Sequence, residues 1–242
     1  MSGRLTVIAA GAFLAFVTWD AAAQNPGAAP TERRTARQSA PFDLTGYWVS
    51  VVTEDWRYRM ITPPKGAYDR VPLNPEGRKA ADRWNPSADE AAGNQCKAYG
   101  AAAIMRVPGR LHVTWQDENT LRVDADAGTQ TRRFHFAAAT PARERTWQGD
   151  STAEWEATRS LKVVTTNMRA GYLRRNGVPY SENAIVTEYF DVSPFPGGAQ
   201  LLVVTTIVAD PTYLQRPFIV SSNFTQEKDG SKWNPSPCTA KW

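Results

Sequence analysis

Short stretches in which hydrophobic and polar residues alternate recur along the chain, and this pattern is typical of β-strands with one buried face. Leu111, Val113 and Trp115 alternate with polar neighbours, and the stretch 121–125 repeats the pattern. Residues 126–128 read Asp-Ala-Gly, which favours a hairpin turn. The stretches that predict strands are 49–53, 111–116, 121–125, 129–136, 151–157, 160–168, 184–191, 200–208 and 216–226, with the charged, aromatic stretch 55–61 as a strand or a loop. Such a series of short strands predicts an all-β barrel or sandwich.

Two of these strands are apolar on both faces, and one segment outside them has the pattern of a helix. In 160–168 and 200–208 both faces are largely apolar or Thr, so both faces are covered or one lines an apolar cavity. Asn74 precedes Pro75, which is the order of an N-cap residue and a first helical position. The short helix predicted there runs to about Trp84, where Asn-Pro stops it, and it would cover a barrel mouth.

The N-terminus predicts an export signal at residues 1–23. Arg4 supplies the positive start, an apolar run extends to Trp19, and three alanines form a small-residue cleavage site before Gln24. The run is shorter than the roughly 20 apolar residues of a membrane span, although a retained anchor helix stays an alternative. No later segment has the length and apolarity of a transmembrane helix. We therefore expect a periplasmic or secreted protein with no integral membrane segment once the signal is removed.

The rest of the chain divides into a lead-in and one domain. Residues 24–41 are rich in Ala, Pro, Thr, Arg and Gln and have almost no apolar side chains to bury, so they predict a disordered segment. Residues 42–242 show no internal repeat and no second domain boundary, and they predict a single domain.

Two cysteines remain after the signal, Cys96 and Cys238. In an exported protein a disulfide between them is the natural expectation, with two free thiols as the alternative. Because so long a loop is closed, the chain-entropy model assigns the bond roughly 5 kcal/mol, as an upper figure.

Charge and motif content exclude several classes of protein. The net charge of +4 comes from scattered basic residues, whereas a nucleic-acid partner requires basic residues clustered on one face. No phosphate loop, dinucleotide fingerprint, zinc-protease helix or CxxC occurs, so we expect no cofactor. Asp124-x-Asp126-x-Gly128 resembles half of a calcium loop, but the remaining ligands are missing and turn chemistry accounts for it better. We therefore expect no metal.

Glu188 is the carboxylate with the most informative surroundings. By period two it shares one face of its strand with Ala184, Val186 and Phe190. A charge on so apolar a face is expensive unless it is paired. Glu188 is therefore either a structural ion-pair partner or a site residue. Asp210 precedes a proline, and it is either a turn cap or a ligand contact.

Two groups of motifs resemble known β-barrel proteins. Gly46-x-Trp48 resembles the start of the first strand of lipocalins, in which the Trp closes one end of an eight-stranded barrel. A second set occurs in order between residues 94 and 220: Gln95-Cys96-x-x-x-Gly100, Met105-x-Val107-Pro108, Trp147-x-Gly149-Asp150-Ser151, Trp155-Glu156, Leu161-x-Val163-x-Thr165-Thr166, Pro179-x-Ser181, Glu188 and Thr206-Ile207-x-x-Asp210-Pro211-x-Tyr213-x-x-x-Pro217. This set resembles a large family of exported bacterial proteins of unassigned function.

The resemblance implies an antiparallel, lipocalin-like β-barrel with one short helix, and it implies no particular activity. The chain departs from the family pattern after Trp155-Glu156, where Ala-Thr-Arg-Ser replaces Gly-Asp-Thr. It also has Tyr189 where the family has Arg, and Phe218 where the family has Trp. If the missing Arg pairs with a carboxylate in relatives, the charge balance of the cavity differs here.

The leading functional hypothesis is a barrel that binds a small, largely apolar or aromatic molecule in its cavity. The alternative is a cofactor-free enzyme, such as an isomerase, lyase or hydrolase, in which Glu188 acts with His112, His135 or a tyrosine in acid-base catalysis. A structural module would instead need a large exposed apolar patch. The residues expected to contact a ligand are Trp48, Arg57, Tyr58, Tyr99, Trp115, Trp155, Asn167 and Asp210.

Overall fold

The computed structural model describes Gly3 and residues 34–137, 142–157 and 160–241; apart from Gly3, the predicted signal lies outside this part. The strands are β1 (Gly46–Val51), β2 (Arg110–Asp117), β3 (Thr120–Ala125), β4 (Ala127–Gly128), β5 (Gln130–His135), β6 (Asp150–Trp155), β7 (Leu161–Thr166), β8 (Gly171–Arg174), β9 (Val178–Tyr180), β10 (Ile185–Pro194), β11 (Gln200–Ala209), β12 (Phe218–Glu227) and β13 (Ser236–Pro237). The α-helices are α1 (Trp56–Arg59), α2 (Pro75–Asp82) and α3 (Pro86–Ala91), and short 3-10 helices span Lys97–Tyr99, Ile104–Arg106 and Pro196–Gly198.

Nine of the strands close into a barrel, in the order β1-β12-β11-β10-β7-β6-β5-β3-β2. Eight of the neighbouring pairs run antiparallel, and the ninth, β5 with β6, runs parallel. Parallel neighbours need a connection of a dozen or more residues; β5 ends at His135 and β6 begins at Asp150, so the sequence between them is long enough. The predicted closed barrel is therefore confirmed, but its sheet is mixed.

Large apolar side chains fill the middle of the barrel. Alternate residues of the barrel strands point inward, and this inward set forms one buried cluster. Trp48, Phe134, Phe190, Leu202 and Phe224 each expose no more than 1% of their surface. Burying such a side chain contributes about 1.5–3 kcal/mol. The middle of the barrel is therefore a packed core.

A cap covers one end of the barrel and is built mainly from the segment between β1 and β2. Its helix α2 begins as the sequence predicts, because Asn74 Oδ1 accepts a hydrogen bond from the Gly77 amide at 2.8 Å. Ala81 of α2 belongs to a second buried cluster, which also contains Val186 and Val208 from one end of the barrel strands. Helix α2 therefore packs within the cap, where it contacts β9; that it covers the barrel mouth directly stays a prediction.

Two further parts of the cap differ from the prediction. Asn85 and Pro86, which are predicted to stop a helix, also start the next one: Asn85 Oδ1 accepts from the Ala88 amide at 3.1 Å, and Pro86 is the first residue of α3. The same Asn-Pro pair suits an N-cap and a first helical position. The stretch 55–61 contains the helical turn α1 instead of a strand.

The other end of the barrel carries four aromatic rings in contact. Ring centroids of Phe42 and Trp155 lie 5.3 Å apart, those of Phe136 and Trp155 lie 5.2 Å apart, and those of Trp115 and Phe136 lie 5.6 Å apart. Trp155 Nε1 donates to the carbonyl oxygen of Ala36 at 2.9 Å. Residues of the predicted lead-in therefore contact the barrel before Phe42.

The C-terminal tail is fixed to the first half of the domain. Cys96 and Cys238 form the predicted disulfide. Beside it, β13 pairs with β4, and Thr129 Oγ1 donates to the Ser236 carbonyl at 3.0 Å. Within the described residues, no helix has both the length and the apolarity that crossing a membrane requires.

Candidate functional site

The cap contains a cavity whose wall is unusually rich in arginine. It is partly open and has a volume of about 270 Å³, including open solvent. Arg59, Arg106, Arg174 and Arg175 line it together with Tyr58, and apolar side chains complete the wall. We call this the arginine cavity. Four cationic side chains around so small a space make it the most distinctive polar feature of the cap.

Three separate elements bring these arginines together. Arg59 is the last residue of α1, Arg106 is the last residue of a short 3-10 helix, and Arg174 is the last residue of β8. Each exposes 5% of its surface or less. Since a long charged side chain normally keeps its head in water, three such side chains buried around one cavity require an explanation.

Each of the three arginines has some partners within the protein. Arg59 forms an ion pair with Glu54, and its Nε donates to the backbone carbonyl of Arg106 at 2.8 Å. Arg106 Nη1 lies 3.3 Å from Asp55 Oδ2. Arg174 has no carboxylate among the ion pairs of the described residues; its Nη1 donates to the carbonyl oxygen of Asp69 at 2.8 Å. These contacts satisfy only part of each guanidinium.

Several nitrogens of the same guanidiniums have no hydrogen-bond partner among the described residues. They are Nη2 of Arg59, Nη2 of Arg106, and Nε and Nη2 of Arg174, and all are buried. An unmet buried donor costs about 1–3 kcal/mol, and more when it is charged. Because such groups are rare, an ordered water or an ion is the usual reason for them.

The arginines also repel one another electrostatically. Burial, and to a smaller extent the positive charge of Arg106, lowers the pKa of Arg59 to about 10. Burial and then Arg106 likewise lower the pKa of Arg174 to about 10. Burial lowers the pKa of Arg106 too, while Asp55 opposes that shift. All three remain cationic at neutral pH, so an anion in the cavity would relieve their repulsion.

Guanidinium groups bind carboxylate and phosphate oxygens through charge-assisted hydrogen bonds, which are about twice as strong as neutral ones. The arginine cavity therefore has the chemistry of an anion site. It is a poor place for a metal cation, and no group of three or more metal-ligating side chains occurs in the described ranges.

Among the residues predicted to contact a ligand, only Tyr58 lines the arginine cavity. Its ring lies 4.2 Å from the guanidinium carbon of Arg174. Arg57 lines an outer depression next to Tyr58. Trp48 lies in the packed core, where its Nε1 donates to the Leu44 carbonyl at 3.0 Å.

The other predicted contact residues are spread over the molecule. Trp115 and Trp155 lie in the aromatic cluster at the end away from the cap. Tyr99 is buried beneath the turn that contains β4. Asn167 Nδ2 donates to Asp150 Oδ2 at 2.9 Å. The structure does not bring these residues into one site.

Asp210 performs the role of a turn cap. Its carboxylate accepts from the Ser181 amide and hydroxyl at 2.7 Å each, and from the Thr212 amide at 3.0 Å. These bonds leave little capacity for a ligand.

Glu188 is fully buried and forms an ion pair with Arg132. Arg132 Nη1 donates to Oε1 at 3.0 Å and Nη2 to Oε2 at 2.5 Å, while Nη2 also lies 3.2 Å from Thr165 Oγ1. The prediction that Glu188 occupies a buried face is confirmed.

The two histidines lie on the outer face of the barrel, away from Glu188. His112 alternates with the inward-facing Leu111 and Val113, and its ring stacks on Tyr47 with centroids 4.1 Å apart. His135 follows the inward-facing Phe134. The structure therefore does not place Glu188 and a histidine at a common cavity.

Sequence reasoning missed Arg59, Arg106 and Arg174. The nearest signal was the charged, aromatic composition of 55–61, which contains Arg59 and Tyr58. Arg106 and Arg174 look like ordinary surface charges in the sequence.

Comparisons of the chain with protein-family models, curated proteins and solved structures found no match, so its function must be inferred from the chemistry of its own site.

Proposed function

We propose that this protein binds a small anion, or the anionic group of a small molecule, in the arginine cavity. The observation that supports this is that Arg59, Arg106 and Arg174, which line one small space, each keep a buried guanidinium nitrogen with no partner among the described residues. Two carboxylates, Glu54 and Asp55, already pair with Arg59 and Arg106, and guanidinium donors without acceptors remain. An oxyanion would supply the missing acceptors and the missing negative charge.

The size of the cavity limits the group that enters it. The part that a water-sized molecule reaches holds about one water. A single carboxylate, phosphate or sulfate group is larger than this space, so its entry would make the walls move outward slightly. The cavity therefore suits one anionic group, and the rest of a larger ligand would lie outside it.

An anion site in the cap differs from the apolar cavity inside the barrel that the sequence predicts. A ligand that is apolar throughout would need space in the barrel, whose middle is occupied by side chains such as Trp48 and Phe190. A Glu188 enzyme would need an acid or base partner, whereas Glu188 is paired with Arg132. Membership of the exported, lipocalin-like family and a periplasmic or secreted location remain part of the proposal. The disulfide supports the location, because such bonds persist in oxidising compartments.

Arg174→Gln is the most direct test. Arg174 has no carboxylate partner in the described ion pairs, so its replacement orphans no acidic group. We expect it to weaken binding of inorganic phosphate or sulfate by about 10- to 100-fold, since a hydrogen bond to a charged group contributes about 1.5–3 kcal/mol. Isothermal titration calorimetry measures the change.

Arg133→Gln is the matched control. Arg133 is exposed on the barrel wall, and its Nε donates to Gln116 at 2.9 Å. Its replacement removes the same charge outside the cavity, so anion affinity should stay within about twofold of the native value. The proposal fails if the native protein binds no oxyanion, or if both variants lose affinity equally.

A further inference from the structure

We infer that the ligand is a single anionic amphiphile, with its anionic group in the arginine cavity and an apolar body on the outer surface of α1. This rests on the anion site proposed above. Phosphate or carboxylate esters and acids with an alkyl or aryl body belong to this class. Three features of the segment 56–61 and its surroundings favour such a ligand.

The first feature is a cluster of exposed apolar side chains. Trp56, Met60 and Ile61 expose 52%, 57% and 66% of their surfaces. They are three of the six large apolar side chains that are exposed in the described residues, and they fall within six consecutive positions. Scattered apolar residues need no explanation, but a local group beside a polar site is typical of a contact surface.

The second feature is that this segment also forms the wall of the arginine cavity. Tyr58 and Arg59 of the same helical turn line the cavity, while Trp56, Met60 and Ile61 face solvent. One short segment therefore presents cationic and aromatic groups inward and apolar groups outward. A ligand whose anion lies beside Arg59 has an apolar surface within reach.

The third feature is an outer depression that adjoins the cavity. It has a volume of about 940 Å³, including open solvent, and Trp56, Arg57 and Arg70 line it. Tyr58 lines both spaces and so lies between them. Among the described residues, the hydrogen-bond contact of the Tyr58 hydroxyl is a long one, 3.4 Å, to Asp69 Oδ2. A ligand can thus extend from the cavity past Tyr58 into the depression.

The charges around the depression favour an anion. Arg57 and Arg70 are exposed there. The two acids in its wall already have partners: Glu54 pairs with Arg59, and Asp55 pairs with Arg106 and with Arg70 at 3.2 Å. An approaching anion therefore meets exposed cations in the depression and buried cations in the cavity, with the Asp69 carboxylate beside Tyr58 as the opposing charge.

A single molecule fits these features better than a membrane surface does. The arginine cavity lies behind Tyr58 and admits one group, whereas a bilayer would meet only the exposed Arg57, Arg70 and apolar side chains. Of the three exposed apolar side chains, Trp56 lines the depression that the ligand would enter, so burying an alkyl body of several methylenes against it should strengthen binding well beyond that of the bare anion.

The test compares inorganic phosphate with decyl phosphate, used below its micelle concentration, by calorimetry. We expect the native protein to bind decyl phosphate at least about tenfold more tightly than phosphate. Trp56→Ala should lose most of that gain and keep its affinity for phosphate. Phe195→Ala, an exposed aromatic residue at the other end of the barrel, should keep the whole gain.

The outcomes separate the two proposals. If the native protein binds phosphate but binds decyl phosphate no more tightly, or if Trp56→Ala keeps the whole gain, the amphiphile inference is wrong and the anion site stands. If no oxyanion binds, the proposed function itself fails. Binding to anionic phosphatidylglycerol vesicles that Arg174→Gln leaves unchanged would overturn the single-molecule inference in favour of a membrane surface.

Discussion

The buried ion pair between Glu188 and Arg132 gives the sharpest stability prediction. Glu188→Gln keeps the shape of the side chain and removes its charge. The pair exposes 0% and 2% of its side-chain surfaces, so the charge left on Arg132 cannot reach water. Its remaining side-chain acceptors would be the amide oxygen of the new side chain and Thr165 Oγ1, at 3.2 Å from Nη2; neither carries a charge.

Removing one member of such a pair costs about 3–5 kcal/mol. In a domain of this size each kcal/mol lowers the melting temperature by about 2–4 °C, so Glu188→Gln should lower it by roughly 6–20 °C. Thermal melts followed by circular dichroism, with urea titrations beside them, measure the loss. Glu154→Gln is the control, because its pair with Lys162 is 62% and 29% exposed and should contribute at most about 1 kcal/mol.

A double-mutant cycle shows whether the pair itself carries the effect. Arg132→Met alone should cost about as much as Glu188→Gln, since it leaves the carboxylate buried and unpaired. The double variant contains neither charge and should cost far less than the sum of the two. Additive losses, or a Glu188→Gln protein as stable as the native one, would show that the two charges are not desolvated together as described.

Three further outcomes are expected. Replacing both Cys96 and Cys238 with Ser should lower the free energy of unfolding by up to about 5 kcal/mol in urea titrations; an unchanged midpoint would contradict this. Gly149→Ala should lower the free energy of unfolding by about 1–3 kcal/mol, because φ there is +60° and a Cβ would lie 2.3 Å from the Thr166 carbonyl oxygen. An unchanged melting temperature would show that this turn can relax. The mature protein should begin near Gln24 and contain no free thiol, as intact-mass measurement and thiol labelling will show; an uncleaved mass would indicate a retained anchor.

The barrel strands were predictable where one face is buried and the other is not. In β2 and β3 the alternation of apolar and polar residues follows directly from this difference. The face of β10 that carries Glu188 was predictable for the same reason. Helix α2 was predictable because Asn74 and Pro75 satisfy its first turn locally.

The parallel pairing of β5 with β6 had no local signal. Only two residue pairs define it, Phe134 with Ser151 and His135 with Thr152. Which strands become neighbours depends on the path of the crossover between them, and no periodicity within either strand contains that path. The short hairpin of β8 and β9 was missed because its strands are too brief to alternate clearly.

The arginine cavity was equally invisible in the sequence. Arg59, Arg106 and Arg174 belong to three elements that are distant in the chain, and each looks like a solvated charge. Only the packing of the cap on the barrel places their guanidiniums around one space and removes them from water. Burial of a polar group by tertiary contact has no signature in local composition.

The disulfide also sets an order of events during synthesis. Cys96 precedes Cys238 by 142 positions, and all nine barrel strands have been made by the time Cys238 emerges. The bond therefore forms only after every barrel strand has been synthesised, and it closes the chain around the complete set of strands. Since these two are the chain's only cysteines, Cys96 has no wrong partner within the chain while it waits. A free Cys96 thiol on a folded molecule would thus mark a protein that has lost its tail or never oxidised.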